Sequence, residues 1–259
     1  AVGYGAGNAV TTGTVNTFVG ALSGDALTVG HHNTALGFQA LTSDTKGSNS
    51  IAVGSFALNN QNFTTATDTY NVAVGYNAGV AVTTGRQNTL MGGVAGDALT
   101  DADENVAIGY AALSTDTLGS KSTAIGFAAL NGQNFTTATD SFNTAVGHSA
   151  GLSVTTGVSN TLIGSQSGDA LTTGGFNVAV GHLALSTEDT SNNNTAVGYA
   201  ALLTLNGGTQ NVAVGQSAGA AMTTADQNTI VGTNAGDALT TGGTNVAVGY
   251  QSLSTEDTG

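Results

Sequence analysis

One short phrase recurs along the whole chain: a glycine preceded by a branched or long apolar residue and, four positions earlier, by asparagine. The glycine falls at Gly3, Gly20, Gly37, Gly54, Gly75, Gly92, Gly109, Gly126, Gly147, Gly164, Gly181, Gly198, Gly215, Gly232 and Gly249, so twelve of the fourteen spacings are 17 residues and two are 21. A unit this short cannot bury an apolar face alone, so a fixed period of this kind predicts a solenoid whose coils cover one another. About fifteen coils are expected, and so regular a stack suits a scaffold or fibre better than an enzyme.

A second period overlies the first. Labelling successive coils A, B, C and D from Gly3, Gly20, Gly37 and Gly54, the A and B coils carry another glycine four residues on (Gly7, Gly24, Gly79, Gly96), where C and D coils carry leucine (Leu41, Leu58, Leu113, Leu130). The quartets start near residues 1, 72, 144 and 212, and the third D coil lacks a four-residue insertion found in the first two. Residues 1–259 therefore read as one continuous repeat region. It opens within a motif at Ala1-Val2-Gly3 and closes within a coil, as a segment of a longer chain would. A signal peptide or membrane anchor would then lie outside it.

Composition narrows the function. The chain has 39 Gly, no Pro, no Cys and no Trp, and 16 acidic residues face only Lys46, Arg86 and Lys121, for a net charge of −13. The cations needed to neutralise nucleic-acid phosphates are missing, and a steady negative charge keeps an apolar-rich fibre in solution. Stacked coils brace one another, so an extracellular setting requires no disulfides.

Counting from the motif glycine as position 0, position −4 is Asn16, Asn33, Asn71, Asn88, Asn105, Asn143, Asn160, Asn177, Asn194, Asn211, Asn228 and Asn245, with Ser50 and Ser122 in the other two coils. Helical spacing fails, and positions −3 to +1 suit a short strand whose side chains alternate between faces. One face carries −1 and +1, often Tyr or Phe; the other carries −2 and 0, Ala and Gly. Both are apolar, and a narrow roll encloses only one, so the other calls for a partner. A second extended stretch, such as Ala9-Val10-Thr11-Thr12, is expected to close at a glycine ten residues after the motif glycine, there for its positive φ. Stacking places the −4 asparagines in a structural ladder whose amides satisfy turn carbonyls.

Asn143-Thr-Ala-Val-Gly147 with Ala150, and Asn105-Val-Ala-Ile-Gly109 with Ala112, resemble the head-domain repeats of YadA-like trimeric autotransporter adhesins and related phage fibre repeats. The resemblance covers every coil. It implies an all-β fold, a narrow left-handed parallel β-roll, three chains side by side, and display on a cell or virion surface. The partners implied are further copies of the chain and a host surface, matrix or glycan receptor, with membrane contact only through an anchor elsewhere. Two features depart from the family: the coils are longer, and the +4 glycine of A and B coils is local to this chain.

Candidate sites are few. The B-coil acids Asp25, Asp97, Asp169 and Asp237 are followed one coil later by Asp44, Asp116, Glu188/Asp189 and Glu256/Asp257. Paired carboxylates can hydrolyse glycosides, but a fourfold-repeated arrangement lacks the unequal environments an active site needs, and solvated turn acids are expected. Asp101, Asp103 and Glu104 read as a solvated turn. His148 and His182 stand at +1 as substitutes for Tyr or Phe, and His31 and His32 lack metal-ligand spacing. No catalytic, cofactor-binding or metal residue is assigned. The insertions, Gln61–Asp68 and Gln133–Asp140, supply the receptor-binding candidates Phe63, Thr64, Thr65, Phe135, Thr136 and Thr137, since extra residues in a coil project as loops. Thr pairs such as Thr11-Thr12 and Thr83-Thr84 raise a monomeric ice- or polysaccharide-binding solenoid as the alternative.

Overall fold

The structure, a computed structural model, describes residues 1–187 and 189–255. It is an all-β parallel solenoid with coils of about 17 residues, falling into two compact units: Ala1–Phe127 with Asn134–Asp140, and Ala128–Gln133 with Ser141–Gly259. In the first unit seven three-residue strands, Thr17–Val19, Thr34–Leu36, Ile51–Val53, Val72–Val74, Thr89–Met91, Val106–Ile108 and Thr123–Ile125, pair in sequence order, all parallel. Val2 adds a parallel bridge to Val19. In the second, seven more run from Thr144–Val146 to Val246–Val248 in the same way. Register matches position to position: Leu90 faces Ala107, and Leu162 faces Ala179.

Each strand covers −3 to −1 and buries only its middle residue. Ala73, Ala107, Ala145, Ala179 and Ala213 at −2 are fully enclosed, so −2 points into the coil while −3 and −1 point out. The motif glycine does not share the −2 face, contrary to a flat alternation. Its φ of 126–145° ends the strand, and a Cβ there would lie 2.3–2.6 Å from the carbonyl oxygen of the next coil's motif glycine wherever such a neighbour is described. Strain and backbone contact together exclude every other residue.

Among the described residues, the stretch expected as a second strand, such as Ala9-Val10-Thr11-Thr12, is not a strand. Residues 3–9 form consecutive turns, with the N–H groups of Ala6, Asn8 and Val10 donating three residues back to Gly3, Gly5 and Gly7, while those of Gly7, Ala9 and Thr11 donate to Ser23, Asp25 and Thr28 of the next coil. Left-handed residues make this path: positions −5, +2 and +4 all have φ near +55°, occupied by Gln87, Glu104 and Phe142 at −5 and by Leu41 and Leu113 at +4. Each such L-residue costs about 1–2 kcal/mol, offset by hydrogen bonds between coils such as Glu104 N to Arg86 O and Gln87 N to Thr69 O. The +10 glycine has ordinary φ, against the expectation of a positive one. Glycine is needed there for proximity: a Cβ on Gly30 would sit 2.0 Å from Gly47 O, and on Gly157 2.2 Å from Gly174 O.

The interior explains the four-coil pattern. In B coils, Phe18, Leu90, Leu162 and Ile230 replace the −2 alanine and are buried. Their side chains occupy space left by the +4 glycines: Leu90 lies against the Cβ positions of both Gly79 and Gly96, and Leu162 against those of Gly151 and Gly168. Where −2 returns to Ala in C and D coils, +4 becomes Leu. Large side chains at −2 of the B coils thus fill the space beside the glycines, and leucine at +4 fills it in C and D coils, as dense packing requires.

The asparagine ladder is present. Asn88 Nδ2 donates to Ala102 O (2.8 Å) while its Oδ1 accepts from Asn105 N (3.0 Å), and Asn160 repeats this with Gly174 O and Asn177 N. Each buried amide thus ties two backbone groups of the next coil. Asn88→Ala should lower unfolding free energy by about 2 kcal/mol, because two buried polar groups lose partners and a water entering the void recovers only part. Chemical denaturation checks this; a change under about 0.5 kcal/mol contradicts it.

Candidate functional site

The insertions are anchored by a buried polar network. Asp44 is fully buried, not solvated as its place in a turn suggested. It accepts from Gly47 N (2.9 Å), Phe63 N (3.1 Å) and Gln61 Nε2 (2.6 Å). Gln61 also donates to Ser50 Oγ and accepts from Asn71 Nδ2, and Ser50 Oγ meets Thr69 Oγ1. In the second copy Asp116, likewise buried rather than solvated, accepts from Gly119 N and Phe135 N. Serine at −4, glutamine at +7 and the insertion occur together; the third D coil, lacking the insertion, has Asn194 and the buried Leu205 instead. A buried charge is tolerated only when fully bonded, which explains why these residues change as a set.

Phe63 and Phe135 are buried, 6% and 5% exposed, and act as plugs beneath the loops. Thr64, Thr65, Thr136 and Thr137 are exposed. The loops return through short pairings of Thr67–Asp68 with Gly47–Ser48 and of Thr139–Asp140 with Gly119–Ser120. Asn49 Nδ2 donates to Asp68 (2.8 Å), and Lys121 Nζ bridges Asp140 (2.6 Å).

Several of the remaining acids are held by threonine hydroxyls. Asp25 accepts from Thr42 Oγ1. Asp101 accepts from both Thr83 and Thr84 hydroxyls, which hold its carboxyl below the usual range. Asp189 is exposed and accepts from Thr172 Oγ1, while Glu188, Glu256 and Asp257 lie outside the described residues. No cluster of three metal-ligating side chains occurs among the described residues. In other Thr pairs the first hydroxyl bonds a carbonyl of the next coil, as Thr11 to Thr28 O and Thr155 to Thr172 O, while Thr83 and Thr84 both bond Asp101, so the pairs do not present one uniform outward array.

Asp97 and Asp169 each have one buried carboxylate oxygen without a hydrogen-bond partner, and desolvation raises both carboxyls above the ordinary 3.8. A raised carboxyl makes ionisation favour the unfolded chain, so the penalty is absent below the ordinary value and complete above the folded one. Asp97→Asn should therefore raise the melting temperature at neutral pH, and the gain should vanish as pH falls below about 4. A gain that persists in acid contradicts this.

The largest feature is the outer face of the sheet. Leu36, Met91 and Ile163 at −1 are 40–44% exposed, and Phe38, Tyr76, Tyr110, Phe127 and Tyr199 at +1 are 45–59% exposed. Tyr110 stacks on Phe127 with ring centroids 5.7 Å apart, and Phe56 stands edge-on to both Phe38 and Tyr76. No Asp, Glu, Lys or Arg occupies −3, −1 or +1 in any coil. Soluble monomers rarely leave an apolar patch of more than a few hundred Å² uncovered, and exposed apolar side chains recur on this face in most coils of the first unit and in several of the second. No family model, curated protein or solved structure matches the chain.

Proposed function

We propose that this chain is a structural segment of an extracellular fibre or adhesin, on a cell or virion, assembled as three parallel copies packed through the charge-free sheet face. A narrow left-handed roll and the threefold number follow the resemblance to YadA-like heads; the need for a partner follows from the residues. The carrying observation is that outer face: strands of three residues bury −2 inside and leave an uncharged face of apolar −1 residues, Thr, Val or Ile at −3 and frequent aromatics at +1, part-exposed and uncovered among the described residues. Attachment to a receptor surface then falls to groups outside it, with the exposed loop threonines Thr64, Thr65, Thr136 and Thr137 as candidates. Three copies multiply weak contacts by avidity.

The test is to place charge on the face. Ile108→Glu with Tyr110→Glu should abolish chemical cross-linking between copies while leaving the circular dichroism of the coils unchanged, because both side chains point outward. Unaltered cross-linking would refute the assignment of the face.

A further inference from the structure

We infer that self-association through this face is released by mild acid, through protonation of His148 and His182. The inference rests on the self-association reading above. Across positions −3, −1 and +1 the chain has none of its acidic residues and none of its Lys or Arg, yet His148 and His182 both stand at +1. Histidine alone among the residue types on this face gains charge between about pH 8 and 5. Both residues are exposed in the single chain.

The geometry at His182 shows where the proton goes. Its Nδ1 lies 3.1 Å from the carbonyl oxygen of Ser165. A carbonyl only accepts, so Nδ1 carries the hydrogen and Nε2 is the basic atom of the neutral ring. The titratable neighbours are Tyr199, whose ring centroid is 5.8 Å away, and Asp169, whose carboxylate interacts electrostatically with the ring. In the uncovered chain the ring faces water and the Asp169 carboxylate. A second copy laid over the face removes the water and, in parallel unshifted packing, sets the same ring of each copy at the same level. A charge there faces like charges in an apolar contact, which is unfavourable. His31 and His32 sit at −6 and −5, outside these rows, and His31 Nδ1 accepts from Thr14 N (3.0 Å).

The chain's overall charge works in the opposite sense. With a pI near 4.1, acidification reduces the mutual repulsion of the copies and by itself favours association. Dissociation in acid therefore singles out the face histidines. If each ring must stay neutral in the assembly, lowering the pH from about 7.5 to about 5.5 weakens association roughly tenfold per histidine.

The experiment is sedimentation of the wild-type chain, of His148→Gln/His182→Gln and of His31→Gln/His32→Gln at both pH values, with circular dichroism alongside. The wild type and the His31/His32 variant should be assembled at neutral pH and dissociate in acid with their coils intact. The His148/His182 variant should stay assembled at both. A wild type that stays assembled in acid, a His148/His182 variant that dissociates like it, or dissociation accompanied by unfolding would each overturn the inference. A single-chain mass already at neutral pH would instead remove the self-association reading, and this inference with it.

Discussion

Gly92→Ala should destabilise the solenoid by about 4 kcal/mol, the sum of backbone strain and overpacking against a backbone neighbour. Gly92 has φ +138°, and an added Cβ would lie 2.4 Å from Gly109 O. That oxygen belongs to the next coil's own motif glycine and cannot withdraw without breaking the stack. Its neighbour Gly93 is the control: no positive φ is required, and a Cβ would meet only Tyr110 Cδ2 at 3.4 Å. Gly93→Ala should stay within about 0.5 kcal/mol of wild type. Equal shifts in denaturant midpoint for the two would mean that the motif glycine is set by something other than close stacking.

The second large effect is a rescue. Gly96→Leu alone should cost about 3 kcal/mol, since a Cβ there lies 2.7 Å from Leu90 Cδ2 and 2.9 Å from Leu99 Cδ1. Its left-handed backbone can hold a leucine, as Leu41 and Leu113 do at the same position with φ 53° and 52°. Leu90→Ala alone should cost about 3 kcal/mol through the cavity it opens. Together they place Ala, Leu and Leu at −2, +4 and +7, the set already buried as Ala196, Leu202 and Leu205. The pair should therefore be less harmful than either single change, with a favourable coupling of about 3 kcal/mol in a double-mutant cycle. Additive losses would show that −2 and +4 do not share one space.

Most of the coil was legible because the constraints repeat. The asparagine at −4, present in twelve of fourteen coils, and the alternation of apolar residues are backbone and packing requirements, so the sequence displays them many times over. The left-handed residues were not legible, because Gln87, Glu104 and Phe142 carry no local mark of positive φ; inter-coil hydrogen bonds impose it. The +10 glycine misled for a related reason: glycine serves both positive φ and close approach, and only the distance to the next coil separates them. Asp44 looked solvated because an acid in a turn usually is. The signal against that was its company, with serine at −4, glutamine at +7 and the insertion appearing together in two D coils (Ser50 and Gln61, Ser122 and Gln133) and Asn194 with Leu205 replacing them in the third. For the candidate site, Phe63 and Phe135 sit beneath the loops as anchors, and the exposed threonines are what the insertions present.

The outward face remains the feature on which the functional account stands, and the mass of the particle in solution addresses it most directly. Sedimentation equilibrium of the purified chain at neutral pH is expected to give three times the 25.2 kDa of one chain. A single-chain mass at every concentration tested would contradict it.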